Sequence, residues 1–329
     1  MNAQWKDFLE ARSAEIDERG KVAFPAAAEA QECALCDLSH LGMIAVAGPD
    51  AETFLQGQLT NDIRELSATH SQLSGHCNPK GRMLASFRAL RLDDIVYLQL
   101  PRTMLDSALR RLRMYTLRAR VTLTDASDEL IAVGLAGECA AELLRSHVNP
   151  VPDRENDMSR QDALTIVRLP GQESRFQILG AEPAMEAVWD ALAAQAVPVD
   201  ADYWGLLDIR AGIPTVFPET TEAFVPQMVN MHLIDGVSFT KGCYTGQEVV
   251  ARMQYLGKLK RRMYIGEVDA DVAPRPGDEL HAPSSTSEQA TGRVVDARAA
   301  DNGRCELLAV VEVAAVESGE IRLGAGGPT

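Results

Sequence analysis

The chain has 329 residues, of which 46% are hydrophobic and 24% charged, so it can bury a sizeable core and should divide into about two or three domains. Its formal net charge of −15 argues against extended contact with a nucleic-acid backbone or an anionic membrane surface. No apolar run approaches the roughly 20 residues of a membrane span, and the acidic first 30 residues are unlike a signal or transit peptide. We therefore expect a cytoplasmic protein.

The N-terminal two-thirds of the chain mix helices and strands without a βαβ rhythm. Residues 3–18 favour a surface helix, and Pro49 with two acids begins a helix that runs to about Gln58. Apolar runs on either side of Asp93 and Asp94 predict a hairpin. Further predicted elements are helices at 102–115, 138–146, 183–195 and 201–211 and strands at 43–46, 120–123, 130–134 and near Ile166 and Phe176. The predicted class is α+β.

Two irregular stretches and a β-rich end complete the pattern. Residues 149–160 form an exposed connection, and residues 214–240 form a long loop with no clear period, which is unusual unless the loop has a function. Beyond Gly257, short β runs alternate with Gly, Pro, Ser and Asp turns. This end of the chain is predicted to be a small β-barrel or sandwich.

The cysteines are predicted to be thiols in a reducing compartment, because six of them in a chain of this length do not make a disulfide framework. Cys33 and Cys36 have redox or metal spacing, but no second Cys-x-x-Cys exists and the six histidines are scattered, so no metal site is predicted. His76 and Cys77 are neighbours whose side chains point to opposite faces of a strand, which favours a structural role.

The chain's most distinctive motif is residues 241–248, with the sequence KGCYTGQE. Thr245 and Glu248 are predicted to form a capping box, which places Cys243 just outside a helix N-terminus. The helix dipole and Lys241 should favour the thiolate and make Cys243 reactive. The alternative is that Gly242 and Gly246 only permit a tight turn while Cys243 packs as a small apolar side chain.

Basic residues are concentrated in two places, between Arg102 and Arg120 and at Arg252, Lys258, Lys260, Arg261 and Arg262. Either cluster could hold a polyanion such as RNA or a polyglutamate tail, although a solvated face or cross-domain ion pairs fit an acidic chain better. The chain has no glycine-rich phosphate loop, dinucleotide fingerprint or nucleophile elbow. Nucleotide hydrolysis, hydride transfer and esterase chemistry therefore lose support.

Residues 36–42, 47–51 and 58–62 closely resemble the start of the aminomethyltransferase of the glycine cleavage system, a tetrahydrofolate enzyme. The resemblance implies a three-domain ring around a central folate pocket, closed by the C-terminal β domain. Leu84 and Ala85 stand where that enzyme has its catalytic acid pair. Because alkyl side chains cannot orient or deprotonate the reacting amine, aminomethyl transfer should be lost even if the pocket survives.

Residues 76–81, residues 224–227 with Asn230, and residues 241–248 resemble instead the YgfZ family. This resemblance implies tetrahydrofolate binding and a role in assembling or repairing iron–sulfur clusters in client enzymes, including those that thiolate transfer RNA. It makes Cys243 the functional thiol and iron–sulfur apoproteins the partners. Whether Cys243 ligates a cluster, which would be held only transiently if at all, passes sulfur or forms a mixed disulfide stays open.

The same resemblance implies a set of folate contacts, with Trp204 stacking on the pterin or benzoyl ring. A second folate-side tryptophan is replaced by Leu41, and a carboxylate frequent in relatives is Arg210 here, which could meet the folate glutamate carboxylate but not the pterin N–H donors. The alternative for Trp204 is a core position on a helix. The expected folate-binding residues are Trp204, Arg210, Gln227, Asn230, Lys241 and Tyr244.

The predicted organisation is an N-terminal helix (1–30), a folate-binding region of two interleaved α+β subdomains (31–250) and a C-terminal β-barrel (251–329). The leading hypothesis is a folate-binding protein that supports iron–sulfur enzymes. A folate-dependent one-carbon transferase is the first alternative, and an RNA-binding module that uses the basic clusters is the second. We expect neither direct nucleic-acid binding nor membrane association.

Overall fold

The computed structural model describes residues 1–25, 33–270, 272–283, 290–300, 303–324 and 326–329. The chain divides into two compact units, each made of segments that are separate in sequence. Unit 1 comprises Met1–Glu52, Arg64–Gln72 and Arg88–Trp204, and unit 2 comprises Thr53–Ile63, Leu73–Phe87 and Gly205–Thr329. The domain boundary predicted at residue 30 lies outside the described residues, and the three-part division stays a prediction.

The described elements confirm the α+β class. The α-helices are α1 Ala3–Glu10, α2 Ala51–Gln56, α3 Arg102–Arg113, α4 Ala140–Arg145, α5 Glu182–Ala193, α6 Ala201–Arg210, α7 Gln247–Tyr255 and α8 Val313–Ser318. The strands are β1 Glu15–Ile16, β2 Val22–Ala23, β3 Ala34–Asp37, β4 Leu41–Ala47, β5 Gln72–Cys77, β6 Met83–Leu92, β7 Ile95–Pro101, β8 Thr122–Asp125, β9 Ile131–Ala136, β10 Met158–Gln161, β11 Leu164–Arg168, β12 Arg175–Gly180, β13 Val197–Val199, β14 Arg261–Val268, β15 Glu279–His281, β16 Gly292–Ala299, β17 Cys305–Glu312 and β18 Arg322–Leu323.

Unit 1 contains a six-stranded sheet in the order β10-β11-β12-β9-β3-β13, antiparallel except for the parallel pair β3 and β13. Helices α1 and α5 pack against each other on this sheet. Trp5 stacks on Phe8 at 4.9 Å between ring centroids and meets Trp189 edge to face at 5.8 Å. These aromatic side chains bury the apolar face that the sequence pattern of α1 predicts.

The remainder of unit 1 is an antiparallel arrangement in which the end of β6, from Arg88, pairs with β7, β7 with β4, and β4 with β8. The β6–β7 hairpin turns at Asp93, whose φ of 54° is the left-handed conformation that a tight turn requires. Helix α3 packs on β4, and its side chains Leu105, Leu109 and Leu112 are all buried. The hairpin predicted around Asp93 and Asp94 is therefore confirmed.

Unit 2 contains Leu73–Cys77 of β5, the start of β6, helix α7 and the C-terminal sheet. That sheet is antiparallel, in the order β14-β17-β16-β15-β18, and curls into a half-barrel over its own apolar cluster. The C-terminal β domain predicted from the turn-rich sequence is confirmed. Residues 214–240 contain only a 3-10 turn at Pro218–Thr220 as regular structure, as the absence of periodicity predicts.

Two predictions about unit 1 are wrong. The N-terminal helix ends at Glu10 rather than near residue 18, because Ser13 adopts a φ of 66° that no helix continues and the chain then enters β1. The cysteines are not all thiols, because Cys33 and Cys139 form a disulfide with 5.8 Å between their Cα atoms. Pairing of β3 with β9 brings the two cysteines together across 106 residues of sequence, which spacing alone does not reveal.

Candidate functional site around Cys243

The KGCYTGQE motif forms a turn that ends where α7 begins at Gln247. The N-cap is Gly246, with a φ of 85°, and no side chain caps the helix, so the predicted capping box of Thr245 and Glu248 is wrong. A Cβ on Gly246 would overlap the carbonyl oxygen of Asn78. Glycine is needed here both for its left-handed conformation and for this close backbone approach.

Lys241 fixes the start of the motif from inside unit 2. Its side chain is buried, and Nζ donates to the carbonyl oxygens of Leu59 and Asn61, each at 2.7 Å. The ammonium also lies 5.1 Å from the ring centroid of Tyr244. A buried ammonium that is satisfied by carbonyl oxygens acts as a clamp between the motif and the segment around residue 60.

Further hydrogen bonds tie that segment to the loop before the motif. Thr60 Oγ1 donates to Gly236 O at 2.7 Å, and Asn61 Nδ2 donates to Asp235 O at 2.6 Å. In the opposite direction, Ser238 N donates a hydrogen bond to Thr60 O at 3.0 Å. The sequence does not mark Thr60 and Asn61 as site residues, although both belong to the 58–62 run that carries the aminomethyltransferase resemblance. Their role depends on contacts across about 175 residues, which a single sequence does not display.

Tyr244 and Cys77 form the buried side of the motif. Burial, with a smaller effect from the neighbouring Cys77 thiol, raises the pKa of Tyr244 above its ordinary value. Burial also raises the pKa of Cys77 to about 12. Neither group ionises near neutral pH, so this side of the motif is uncharged apart from Lys241.

Cys243 differs from every other free cysteine among the described residues in being exposed, since Cys36, Cys77 and Cys305 are buried. Burial, and then the nearby Asp37, raises the pKa of Cys36 well above its ordinary value. The motif therefore presents one accessible thiol on a loop whose backbone is fixed at both ends, by Lys241 on one side and Gly246 on the other.

Trp204 and Arg210 lie on α6 and have protein partners. Trp204 is only 2% exposed, packs its indole against Gly134 and has the Arg175 guanidinium 5.6 Å from its ring centroid. In this conformation neither face of the indole is open for stacking on a ligand. This agrees with the alternative interpretation of Trp204 as a core residue on a helix. Arg210 is bound by the Glu306 carboxylate through Nε and Nη2, the shortest contact being 2.7 Å.

Gln227 and Asn230 differ from the other predicted folate contacts. Each uses its amide nitrogen for a backbone carbonyl, Gln227 to Val250 O at 2.6 Å and Asn230 to Met263 O at 3.0 Å. The two side-chain oxygens, Gln227 Oε1 and Asn230 Oδ1, are buried and have no hydrogen-bond partner among the described residues. Because both oxygens are buried, these acceptors could take N–H donors of a ligand once the side chains around them move apart.

Apolar side chains occupy the two positions where the resemblance to the aminomethyltransferase implies catalytic acids. Leu84 and Ala85 lie on β6 and are 6% and 1% exposed. Leu41 is the half-buried first residue of β4. In the part of the chain that the structure describes, no group of three or more His, Cys, Asp or Glu side chains could hold a metal ion. No helix within the described ranges has the length and apolarity needed to cross a membrane.

The fold and the sequence define the class of protein. The model of the GCVT N-terminal domain matches residues 21–207. The structure superposes on the glycine cleavage system aminomethyltransferase T from Bartonella henselae with a TM-score of 0.76, over 95% of this chain and 90% of that one, at 17% identity. The chain therefore has the aminomethyltransferase fold.

Two relatives are closer in sequence, and both are named tRNA-modifying protein YgfZ. The protein from Serratia proteamaculans is 34% identical over 274 residues, which cover 83% of this chain and 82% of that protein. The protein from Colwellia psychrerythraea is 31% identical over 287 residues, covering 87% and 88%. This chain belongs to the YgfZ family.

Proposed function

We propose that this chain binds tetrahydrofolate or a derivative and helps to assemble or repair iron–sulfur clusters in client enzymes, including enzymes that modify transfer RNA. The observation that carries the proposal is the exposed Cys243 thiol on a loop fixed by Lys241 and Gly246. The names of the relatives, which refer to tRNA modification, support this choice of clients.

The geometry around Cys243 suits contact with another macromolecule rather than chemistry in a closed pocket. An exposed thiol can reach a sulfur or iron atom of a partner, whereas the buried Cys36 and Cys77 would first require local unfolding. The clamp from Lys241 Nζ to Leu59 O and Asn61 O reduces the entropy lost when a partner engages the loop.

The folate part of the proposal depends on Gln227 and Asn230. Their unpartnered buried oxygens match the N–H donors of a pterin ring, while Trp204, Arg210, Lys241 and Tyr244 are held by protein contacts. When bound, tetrahydrofolate can carry a one-carbon unit. Leu84 and Ala85 provide no acid or base for transferring that unit to an amine, so we propose binding without aminomethyl transfer.

The test is restoration of client activity in a bacterial strain that lacks its own YgfZ protein. The native chain should restore the thiolated nucleosides of transfer RNA, measured by mass spectrometry, and Cys243→Ala should abolish this effect at equal protein level. Cys305→Ala removes a buried thiol from β17 and serves as the matched control, which should remain active. Full restoration by Cys243→Ala would exclude the proposed role of this thiol.

Folate binding is measured separately, by calorimetric titration of purified protein with tetrahydrofolate. Gln227→Leu and Asn230→Leu each remove the unpartnered acceptor and should weaken binding by about tenfold or more. Melting temperatures of both variants report any loss of folding that would reduce binding indirectly. Saturable binding that neither substitution affects would remove these two residues from the folate site.

A further inference from the structure

Unit 2 contains a groove that the proposed function does not use. Its volume is about 660 Å³, and we define this basic groove by six of its lining residues, Arg82, Phe224, Met228, Lys260, Arg261 and Arg293. Two carboxylates, Glu279 and Glu312, also line it. Four cations therefore face two anions, in a chain whose net charge is −15.

The two carboxylates are already engaged. Arg261 Nη2 lies 2.9 Å from Glu312 Oε1, and Arg293 Nη2 lies 3.5 Å from Glu279 Oε1. Arg82 donates to Ala223 O at 2.6 Å and has no carboxylate partner among the described residues. Lys260 is exposed and likewise has no ion pair in the described ranges. The groove thus has two cations in excess, which favours an anionic occupant.

The basic side of the groove continues along the chain toward α7. No Asp or Glu occurs between Glu248 and Glu267, although five basic residues do, and Lys258 also lacks an ion pair among the described residues. At the end of α7, Tyr255 is 69% exposed and Leu256 is 85% exposed. Exposed apolar side chains that are close in sequence to unneutralised cations favour a partner that has both apolar and acidic side chains.

The groove is also connected to the motif. Arg82 follows Gly81, which lies against the Val249 side chain of α7 and the carbonyl oxygen of Gly246. Asn78 Oδ1 accepts a hydrogen bond from Arg82 N at 3.0 Å, which fixes the backbone at this wall. A partner seated in the groove would therefore contact a segment that packs directly on the turn following Cys243.

We propose that the basic groove binds an acidic, partly apolar peptide segment of a protein partner. A nucleic acid fits less well, because Phe224 is buried and offers no open face for a base to stack on, while the half-buried Met228 gives the groove an aliphatic contact. The high negative charge of the whole chain also opposes a long polyphosphate more than a short peptide. That the partner is a client enzyme rests on the proposed function; the groove's preference for acidic peptides does not.

The experiment is fluorescence anisotropy on the full chain with three labelled probes: the acidic hexapeptide DELFED, its neutral counterpart NQLFQN and a ten-nucleotide oligouridine. The acidic peptide should bind saturably, and the neutral one should bind at least about tenfold more weakly. Joint replacement Arg82→Gln with Lys260→Gln should reduce affinity for the acidic peptide about tenfold, whereas Arg82→Lys with Lys260→Arg should retain it. A melting curve for each variant checks folding.

A matched control comes from unit 1, where Arg110→Gln with Arg118→Gln removes the same charge from an exposed surface and should leave binding unchanged. Cys243→Ala should also bind the peptide normally, so full restoration of client activity by this variant, with intact peptide binding, would contradict the proposed function alone. Equal binding of both peptides, no saturable binding, or insensitivity to the Arg82 and Lys260 pair would overturn the groove proposal. Oligouridine binding lost in that pair would assign the groove to RNA instead.

Discussion

At the scale of single residues, Asp37 links the N-terminal helix to the sheet of unit 1. Its carboxylate accepts hydrogen bonds from Trp5 Nε1 at 2.7 Å, from Ser39 N at 2.9 Å and from Ser39 Oγ at 3.0 Å. Burial nevertheless dominates and raises its pKa to about 6, because these donors and Arg102 compensate only part of the lost hydration. The charged form of Asp37 is thus less favourable in the fold than in the unfolded chain.

This shift predicts a pH-dependent difference between the native chain and Asp37→Asn. The folded state binds the proton more tightly than the unfolded state, so the contribution of Asp37 to stability falls as pH rises from about 4 to about 6 and is constant above. The loss amounts to at most about 3 kcal/mol, and Asp37→Asn, which cannot ionise, should not show it. Asp296, whose pKa burial also raises to about 6, is present in both proteins and cancels in the difference.

Urea unfolding between pH 4 and pH 7, followed by tryptophan fluorescence, measures this difference. All three tryptophans, Trp5, Trp189 and Trp204, lie in unit 1, so the signal reports the unit that contains Asp37. The native chain should lose stability relative to the variant across the interval. Parallel stability curves for the two proteins would show that Asp37 titrates normally in the fold.

At the scale of elements, the turn into α7 requires glycine at position 246, whereas position 242 should accept a larger side chain. Gly246→Ala should destabilise unit 2 by roughly 2 kcal/mol or more, because a Cβ meets Asn78 O and the φ of 85° is unfavourable for alanine. The ability of this variant to restore the thiolated nucleosides of transfer RNA in the deficient strain should fall as well, although Cys243 itself is unchanged. Gly242→Ala is the matched control in the same motif, since no atom of the described residues beyond its chain neighbours lies within 4 Å of its added Cβ.

Far-ultraviolet circular dichroism should follow unfolding of these two glycine variants, because unit 2 contains no tryptophan. A lowered transition midpoint for Gly246→Ala with a native-like one for Gly242→Ala is the expected result. If both variants unfold alike, the close approach of the Gly246 and Asn78 backbones is not what sets the stability of the turn.

The same turn illustrates what the sequence could predict. Glycine and Thr-x-x-Glu spacing correctly place a helix after Cys243, but the choice of cap depends on the Asn78 backbone, which lies far away in sequence. The β6–β7 hairpin was predictable because Asp93, Asp94 and the flanking apolar runs are local signals. Short strands such as β3 and β13 were missed because they exist only through pairing with each other and with β9.

In the candidate site, too, local sequence signals were predictable and contacts between distant parts of the chain were not. Family-like motifs predict a functional role for Cys243, but they do not reveal that Lys241 bonds to Leu59 O and Asn61 O rather than remaining available to a ligand. Arg210 was expected to be open to a folate carboxylate, yet Glu306 from β17 binds it. Both outcomes depend on tertiary contacts of about 100 residues or more, whereas residue types and spacing describe only the local chain.

At the scale of the whole molecule, an aminomethyltransferase fold has apolar side chains at the two positions where the resemblance to that enzyme implies catalytic acids. We predict that purified protein forms no methylene-tetrahydrofolate from tetrahydrofolate and a protein-bound aminomethyl donor, because Leu84 and Ala85 cannot exchange protons with an amine. The measurement is a chromatographic assay of folate products, with an active aminomethyltransferase as the positive control. Turnover by this chain would place it among the one-carbon transferases.

Restoring a single acid should not restore transfer. Leu84→Asp or Ala85→Asp would place a carboxylate where the native side chains are 6% and 1% exposed, so each variant should lose about 3 kcal/mol or more of stability at neutral pH. Leu84→Met, which keeps the volume and the apolar character, is the matched control and should fold normally. Leu84 and Ala85 belong to the buried part of β6, so the apolar character of these two positions is needed for packing. A stable Asp variant that gained folate turnover would instead show that only one side chain separates this protein from the enzyme.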